Sequence, residues 1–113
     1  MALPKYRYVL IETYRARAEQ SVHRIRSRVL PRQGLPRGLR VECSARMRES
    51  HPPGTVFKVW ARIKTTDMQP HMYTSWQWPY DVLDDSGDIE DFVQNKRWRE
   101  RDAPAWFSTS SGA

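Results

Sequence analysis

The chain has 113 residues, with nineteen Lys and Arg against thirteen Asp and Glu for a formal net charge of +6, and it is 39% hydrophobic and 12% aromatic. That length suits one domain able to bury a modest core without disulfides or a metal, and no run reaches the ~18–20 apolar residues of a membrane span. Met1-Ala2-Leu3-Pro4-Lys5-Tyr6 lacks the apolar stretch of a secretory signal, and the lone Cys43 excludes an internal disulfide and a multi-cysteine zinc site, so a cytoplasmic location is expected.

The charge is unevenly spread. Residues 1–64 hold fifteen Lys and Arg against four Glu, a net +11, whereas residues 65–113 hold four bases against nine acids, a net −5. Such asymmetry points to a basic surface that meets a polyanion, or to two faces that complement each other or a partner. Fifteen of the nineteen bases are Arg, whose planar fork grips phosphate or carboxylate through two hydrogen bonds and stacks on flat rings. A GC-rich genome writes the same bias without any structural reason.

In chain order, Lys5 to Tyr14 is rich in β-branched and aromatic residues and predicts a strand. From Arg15 to Leu30 two periods coexist. Ala18, Val22, Ile25 and Val29 mark a helical stripe, while His23, Ile25, Ser27 and Val29 alternate with Arg24, Arg26 and Arg28 as in a strand. Arg24 and Arg28 share a face on either reading, turned away from Ile25 and Val29. The two prolines and two glycines of Pro31 to Gly38 predict a basic loop. Leu39 to Cys43 alternates as a short strand, and Ser44 is placed to cap a brief helix through Arg48, ending before His51-Pro52-Pro53-Gly54. Val56 to Lys64 is the clearest strand, with Phe57, Val59, Ala61 and Ile63 on its core face and Val56, Lys58, Trp60, Arg62 and Lys64 opposite. A hairpin leads to a second strand over Met72 to Trp78. Asp84 to Asp88 opens a helix with Ile89, Phe92 and Val93 inward, acids in its first turn and Lys96, Arg97, Arg99 and Arg101 at or beyond its last. Residues 1–107 read as one domain with Trp106-Phe107 as its last anchor, and 108–113 as a disordered tail.

The expected fold class is α+β: a small, mostly antiparallel sheet or partly closed barrel of about four or five strands, with one short helix and one longer C-terminal helix. An N-terminal helix in place of the second strand is the alternative.

Two features point to function. Lys58, Trp60, Arg62 and Lys64 place an indole between cations, the combination by which single-stranded nucleic acid is stacked and neutralised. Trp76 and Trp78 extend that surface if the hairpin aligns them, although a domain of this size needs such rings for core. The other feature is Arg15, Arg17, Arg24, Arg26, Arg28, Arg32, Arg37 and Arg40, with Glu19 the one carboxylate within the run. Unpaired like charges repel and are rarely accumulated for stability, so this set reads as phosphate-contacting.

Catalysis finds thin support. His23, His51 and His71 are scattered, Cys43 reads as a buried small hydrophobe, and no Gly-rich phosphate loop or catalytic motif occurs. The acids from Asp81 to Asp91 lack the spacing of a calcium loop. No metal and no cofactor is expected. The sequence therefore predicts a non-enzymatic nucleic-acid-binding module, for DNA or RNA, that contacts phosphates with its N-terminal arginines and bases near Trp60. The alternative is a small regulatory or inhibitory subunit docking an acidic protein surface through Arg and Trp. Association between copies, acidic half to basic half, is a further expectation; a membrane partner is not expected.

Overall fold

The computed structural model describes residues 6–16, 25–66 and 69–107. The first strand, β1 (Tyr6–Arg15), contains the uninterrupted apolar run Val9-Leu10-Ile11, all three residues fully buried. A continuous run of this kind suits a strand covered on both faces, and β1 is such a strand. One edge pairs antiparallel with β2 (Ile25–Val29), from Ile11 opposite Val29 to Arg15 opposite Ile25. The other pairs antiparallel with β4 (Val56–Thr66), from Tyr6 opposite Arg62 to Glu12 opposite Val56.

The remaining strands share the far edge of β4. Its first residues, Val56 to Val59, carry β6 (Tyr80–Leu83), and its last, Arg62 to Thr66, carry β5 (Gln69–Tyr73). β3 (Val41–Glu42) then adds parallel to β5. The strand order is β2-β1-β4-β5-β3, with β6 beside β4. The sheet is thus mixed, with six strands among the described residues. It does not close into a barrel. Its two ends touch through one isolated antiparallel bridge, Arg28 with Arg40, beside a 2.9 Å hydrogen bond from the Val29 N–H to the Leu39 carbonyl.

These bounds revise the expected ones. Residues 25–29 are strand rather than helix, because alternation puts Ser27 and Val29 inward against β1; residues 17–24 lie outside the described residues. The predicted strand over Met72 to Trp78 ends instead at Tyr73, where Ser75 closes a turn by accepting the Trp78 N–H at 3.1 Å. β6 has no sequence precedent in the periodicity, since four residues after a proline are too few to show one. Ile63, assigned to the core face, is 41% exposed. It lies one residue past the described β1 pairing and has Met72 as its partner on the other side.

Two apolar layers follow from the pleat. Inside the curve of the sheet, Val9, Ile11, Phe57, Val59, Ala61 and Met72 meet Val29, Leu39 and Val41. Met47, from the short helix α1 (Ala45–Glu49), enters the same cluster, and the Ser44 hydroxyl caps α1 by accepting the Met47 N–H at 3.1 Å. On the convex side, α2 (Ser86–Gln94) lays Ile89, Phe92 and Val93 against Leu10, Val56 and Leu83. Asp85 caps it through the Gly87 N–H at 2.7 Å. Each such buried side chain stabilises by ~1.5–3 kcal/mol relative to exposure. Among the described residues, no helix is long and apolar enough to cross a membrane.

One contact in the predicted loop is structural rather than connective. After Leu30, whose N–H bonds the Leu10 carbonyl at 3.0 Å, the chain leaves the sheet at Pro31, and the Leu10 N–H on the edge of β1 would be left unpaired. The fully buried Gln33 carboxamide fills that place: it accepts the Leu10 N–H at 2.7 Å and donates to the Leu10 and Leu30 carbonyls at 2.9 and 2.8 Å. Arg32 and Gly34, at φ +66° and +69°, turn the chain so that Gln33 can reach back.

Candidate anion-binding surface

α1 occupies one end of the sheet, and its few residues decide what that end presents. A helix turns ~100° per residue, so with Met47 pointing into the core, Arg46 and Arg48 splay to opposite flanks. A groove lies on each side. On the Arg48 flank, about 410 Å³ is lined by Arg26, Ser27, Arg40, Val41, Glu42, Cys43 and Arg48. Next to it, about 510 Å³ is lined by Arg15, Ile25, Arg48, Glu49, Ser50 and His51 together with Pro52 and Pro53. On the Arg46 flank, about 480 Å³ is lined by Ser44, Arg46, Met47, Ser50, Trp76 and Tyr80.

These grooves gather Arg15, Arg26, Arg40, Arg46 and Arg48 with two carboxylates, Glu42 and Glu49. Glu42 lies 3.8 Å from His71. Among the described residues no ion pair engages Arg15, Arg40, Arg46 or Arg48. The Arg48 Nε is buried and has no hydrogen-bond partner among them. Five guanidinium groups beside two carboxylates leave an excess of positive charge, which raises the local potential and concentrates anions. The fold, not local sequence, assembles them: β2 contributes Arg26, the residue before β3 contributes Arg40, and α1 contributes Arg48.

The other predicted arginines are differently placed. Arg28 is exposed on β2 but donates to Glu12 at 3.0 Å and lies 4.3 Å from the centre of the Tyr14 ring. Arg32 grips Glu90 with both terminal nitrogens, at 3.3 and 2.7 Å. That hydrogen-bonded pairing pushes the Arg32 guanidinium pKa up, and Arg32 together with Gln94 holds the Glu90 carboxyl below its ordinary value. Arg37 is exposed on its loop and lines none of the three grooves. Arg17 and Arg24 lie outside the described residues, so the face expected to unite Arg24 with Arg28 is described at Arg28 alone.

The expected stacking surface on β4 requires correction. Trp60 is completely buried: Tyr6 stacks on it at 5.7 Å and 8°, Tyr8 meets its edge at 4.9 Å, and Trp106 and Phe107 close over it at 6.3 and 5.7 Å. The alternation of β4 sets which face Trp60 takes, but the cover comes from the chain near residue 107. No ring face is left for a base. Lys58 sits 3.8 Å from Asp81 and over Tyr8, while Arg62 and Lys64 lie over Tyr73. The three grooves around α1 include none of them.

Trp76, which the sequence left between this surface and the core, is 77% exposed, because it stands in the turn after β5 rather than in a strand. Trp78 packs among Tyr6, Tyr73 and Phe107, at 5.8, 5.8 and 5.3 Å. Arg46 and Arg48 are the residues that the expectation of a nucleic-acid site passed over. For the two arginines a signal existed: the Ser44 cap and one inward methionine leave their neighbours no direction but outward.

Cys43 is half-buried, with its Sγ 3.3 Å from the Ser27 Oγ. Burial pushes its thiol pKa up, and the Ser27 hydrogen bond and the Arg48 charge offset this only in part. A thiol held protonated is a poor nucleophile. No group of three metal-ligating side chains occurs among the described residues.

No protein-family model, no curated protein and no solved structure matches this chain.

Proposed function

We propose that the protein is a non-enzymatic nucleic-acid-binding module whose phosphate contacts are made at the α1 end of the sheet, by Arg40 and Arg48 with Arg15, Arg26 and Arg46 around them. The observation that carries this reading is the gathering of these guanidiniums, from β1, β2, the residue before β3 and α1, along grooves that hold two carboxylates. Phosphate contacts orient a protein on the polymer and neutralise it without reading sequence. The aromatic component moves from Trp60 to Trp76.

The test is binding of labelled single- and double-stranded DNA and RNA across a salt series. Each phosphate contact contributes a slope of ~0.7–0.9 in log K against log salt. Arg40→Gln with Arg48→Gln is expected to weaken binding and flatten that slope by about 1.4–1.8, two such contacts. Arg97→Gln, which removes the partner of Asp91 on α2, leaves it unchanged. No association at low salt overturns the proposal. Competition by polyglutamate as strong, per charge, as by oligonucleotide reassigns the surface to an acidic protein partner.

A further inference from the structure

The groove on the Arg46 flank differs from the other two in that two aromatic rings line it, Trp76 and Tyr80. Both residues stand on ordered backbone. Trp76 stands in a turn closed by the Trp78 N–H on the Ser75 carbonyl at 3.1 Å and by the Gln77 N–H on the Ser75 hydroxyl at 3.2 Å. One residue past Gln77, that turn is anchored in the aromatic cluster through Trp78. Tyr80 is fixed edge-on to Phe57 at 5.4 Å, and its hydroxyl lies 3.4 Å from the His51 Nε2. The turn thus presents at the groove an indole that is 77% exposed. Its backbone is already ordered, so binding has only the side chain left to order.

The chemistry around these rings selects among flat ligands. Arg46 lines the groove, the Ser44 hydroxyl keeps its proton to donate while accepting the Met47 N–H, the Ser50 oxygen can accept while donating to the Arg46 carbonyl, and Arg48 continues the positive potential around α1. A neutral planar ring with polar edges, tethered to phosphates, complements this set. In a duplex the base faces are already stacked on one another, so only an unpaired base can enter. We infer that this groove receives an unpaired nucleobase stacked on Trp76, with the adjoining phosphates passing Arg46 and rounding α1 towards Arg48 and Arg40. The inference rests on the phosphate-binding reading and adds its substrate class: single-stranded nucleic acid rather than duplex.

The experiment uses the full chain with a labelled single-stranded oligonucleotide, the same sequence as duplex, and a matched oligonucleotide carrying abasic sites. The phosphates are common to the single-stranded and abasic probes; only the bases differ. Wild type is expected to bind the single strand in preference to the duplex, and to lose affinity on the abasic probe. Trp76→Ala should lose ~5- to 150-fold on the single strand, the effect of one stacked base, and show no further loss on the abasic probe. Trp76→Phe, which keeps a ring, should recover part of the affinity. A side chain this exposed leaves unfolding unchanged, so circular dichroism and thermal midpoint serve as controls.

Equal binding of single strand and duplex by wild type overturns the inference, as does single-strand binding unaffected by Trp76→Ala. Sensitivity to Arg40→Gln and Arg48→Gln in that same case leaves the phosphate reading standing. Absence of any binding by wild type overturns both.

Discussion

Replacing Gln33 tests the most specific structural claim, that a side-chain amide stands in for a strand residue. In Gln33→Ala the Leu10 N–H loses its acceptor, and because Leu10 is fully buried no water takes its place. An orphaned buried donor costs ~1–3 kcal/mol. The Leu10 carbonyl keeps the Leu30 N–H at 3.0 Å, so it is not orphaned. Loss of the packed methylene adds ~0.8 kcal/mol, plus a contribution from the cavity left behind. The sum is ~2–4 kcal/mol, a large part of the ~5–15 kcal/mol typical of a domain. With an m-value of ~1–3 kcal/mol per molar urea, the midpoint followed by tryptophan fluorescence falls by about 1–2 M, and amide exchange accelerates at Leu10. Gln33→Glu gives the sign of the effect. Burial and the two facing carbonyls raise the pKa of the introduced carboxyl, whereas its acid form still donates to one of them. A group whose folded pKa is raised stabilises below its unfolded value and ceases to do so as pH climbs through the folded one. The deficit against wild type is therefore smallest below about pH 4.3 and grows on alkalinisation. A Gln33→Ala chain within ~0.5 kcal/mol of wild type, or a Gln33→Glu deficit flat between acid and neutral pH, refutes the reasoning.

Other outcomes follow from features described above. Gly34→Ala places a Cβ 2.7 Å from the Trp98 ring at φ +69°, whereas Gly38→Ala, at φ +72°, meets nothing within 4 Å. Both pay for the left-handed backbone, ~1 kcal/mol, and thermal melts should rank Gly34→Ala clearly below Gly38→Ala; equal midpoints contradict the packing against Trp98. Trp60→Ala should cost ~3–5 kcal/mol of stability as a buried aromatic truncation, measured by urea unfolding, while Trp60→Phe leaves oligonucleotide affinity unchanged; a large affinity loss in a folded Trp60→Phe chain returns the stacking role to Trp60. Cys43, its thiol pKa raised by burial, should react with iodoacetamide more slowly in the native chain than in the urea-unfolded one at pH 8. Because the folded pKa is the higher, stability falls as pH rises above the unfolded thiol value of ~8.5; a native rate equal to or above the unfolded rate contradicts this.

The parts of the fold that the sequence exposes are those whose signal is local. β1 carries its β-branched and aromatic residues, and β4 its alternation, within a single run, and α2 carries its cap and its Ile89, Phe92 and Val93 stripe within nine residues. Ser44 and the His51-Pro52 boundary likewise define α1 by local rules. What stays hidden depends on partners distant in the chain. Gln33 looks like any loop glutamine until the sheet edge it completes is known, and the cover on Trp60 comes from residues more than forty positions later. Exposure at Trp60 and Trp76 stays undetermined in the sequence for the same reason: periodicity assigns faces, whereas burial depends on what lies across them. At the candidate site, the excess of arginine was legible. Its concentration around α1 was not, because Arg26, Arg40 and Arg48 converge only when β2 and β3 are brought together.

That convergence gives the bridge between Arg28 and Arg40 a thermodynamic meaning. The two ends of the sheet meet there through this bridge, the Val29 N–H on the Leu39 carbonyl and the Ser27 hydroxyl on the Val41 carbonyl. Arg26 and Arg40 line one groove from opposite banks of this seam, so an anion held there would touch both ends of the sheet. Occupancy and closure are then linked equilibria. A ligand at one hundred times its Kd adds ~2.7 kcal/mol to the stability of the folded chain, and the gain falls on the joint between the first and last strands of the sheet path. Amide exchange at Val29, whose N–H crosses the seam to the Leu39 carbonyl, should slow when an oligonucleotide is bound, making the seam a reporter of occupancy as well as a part of the site.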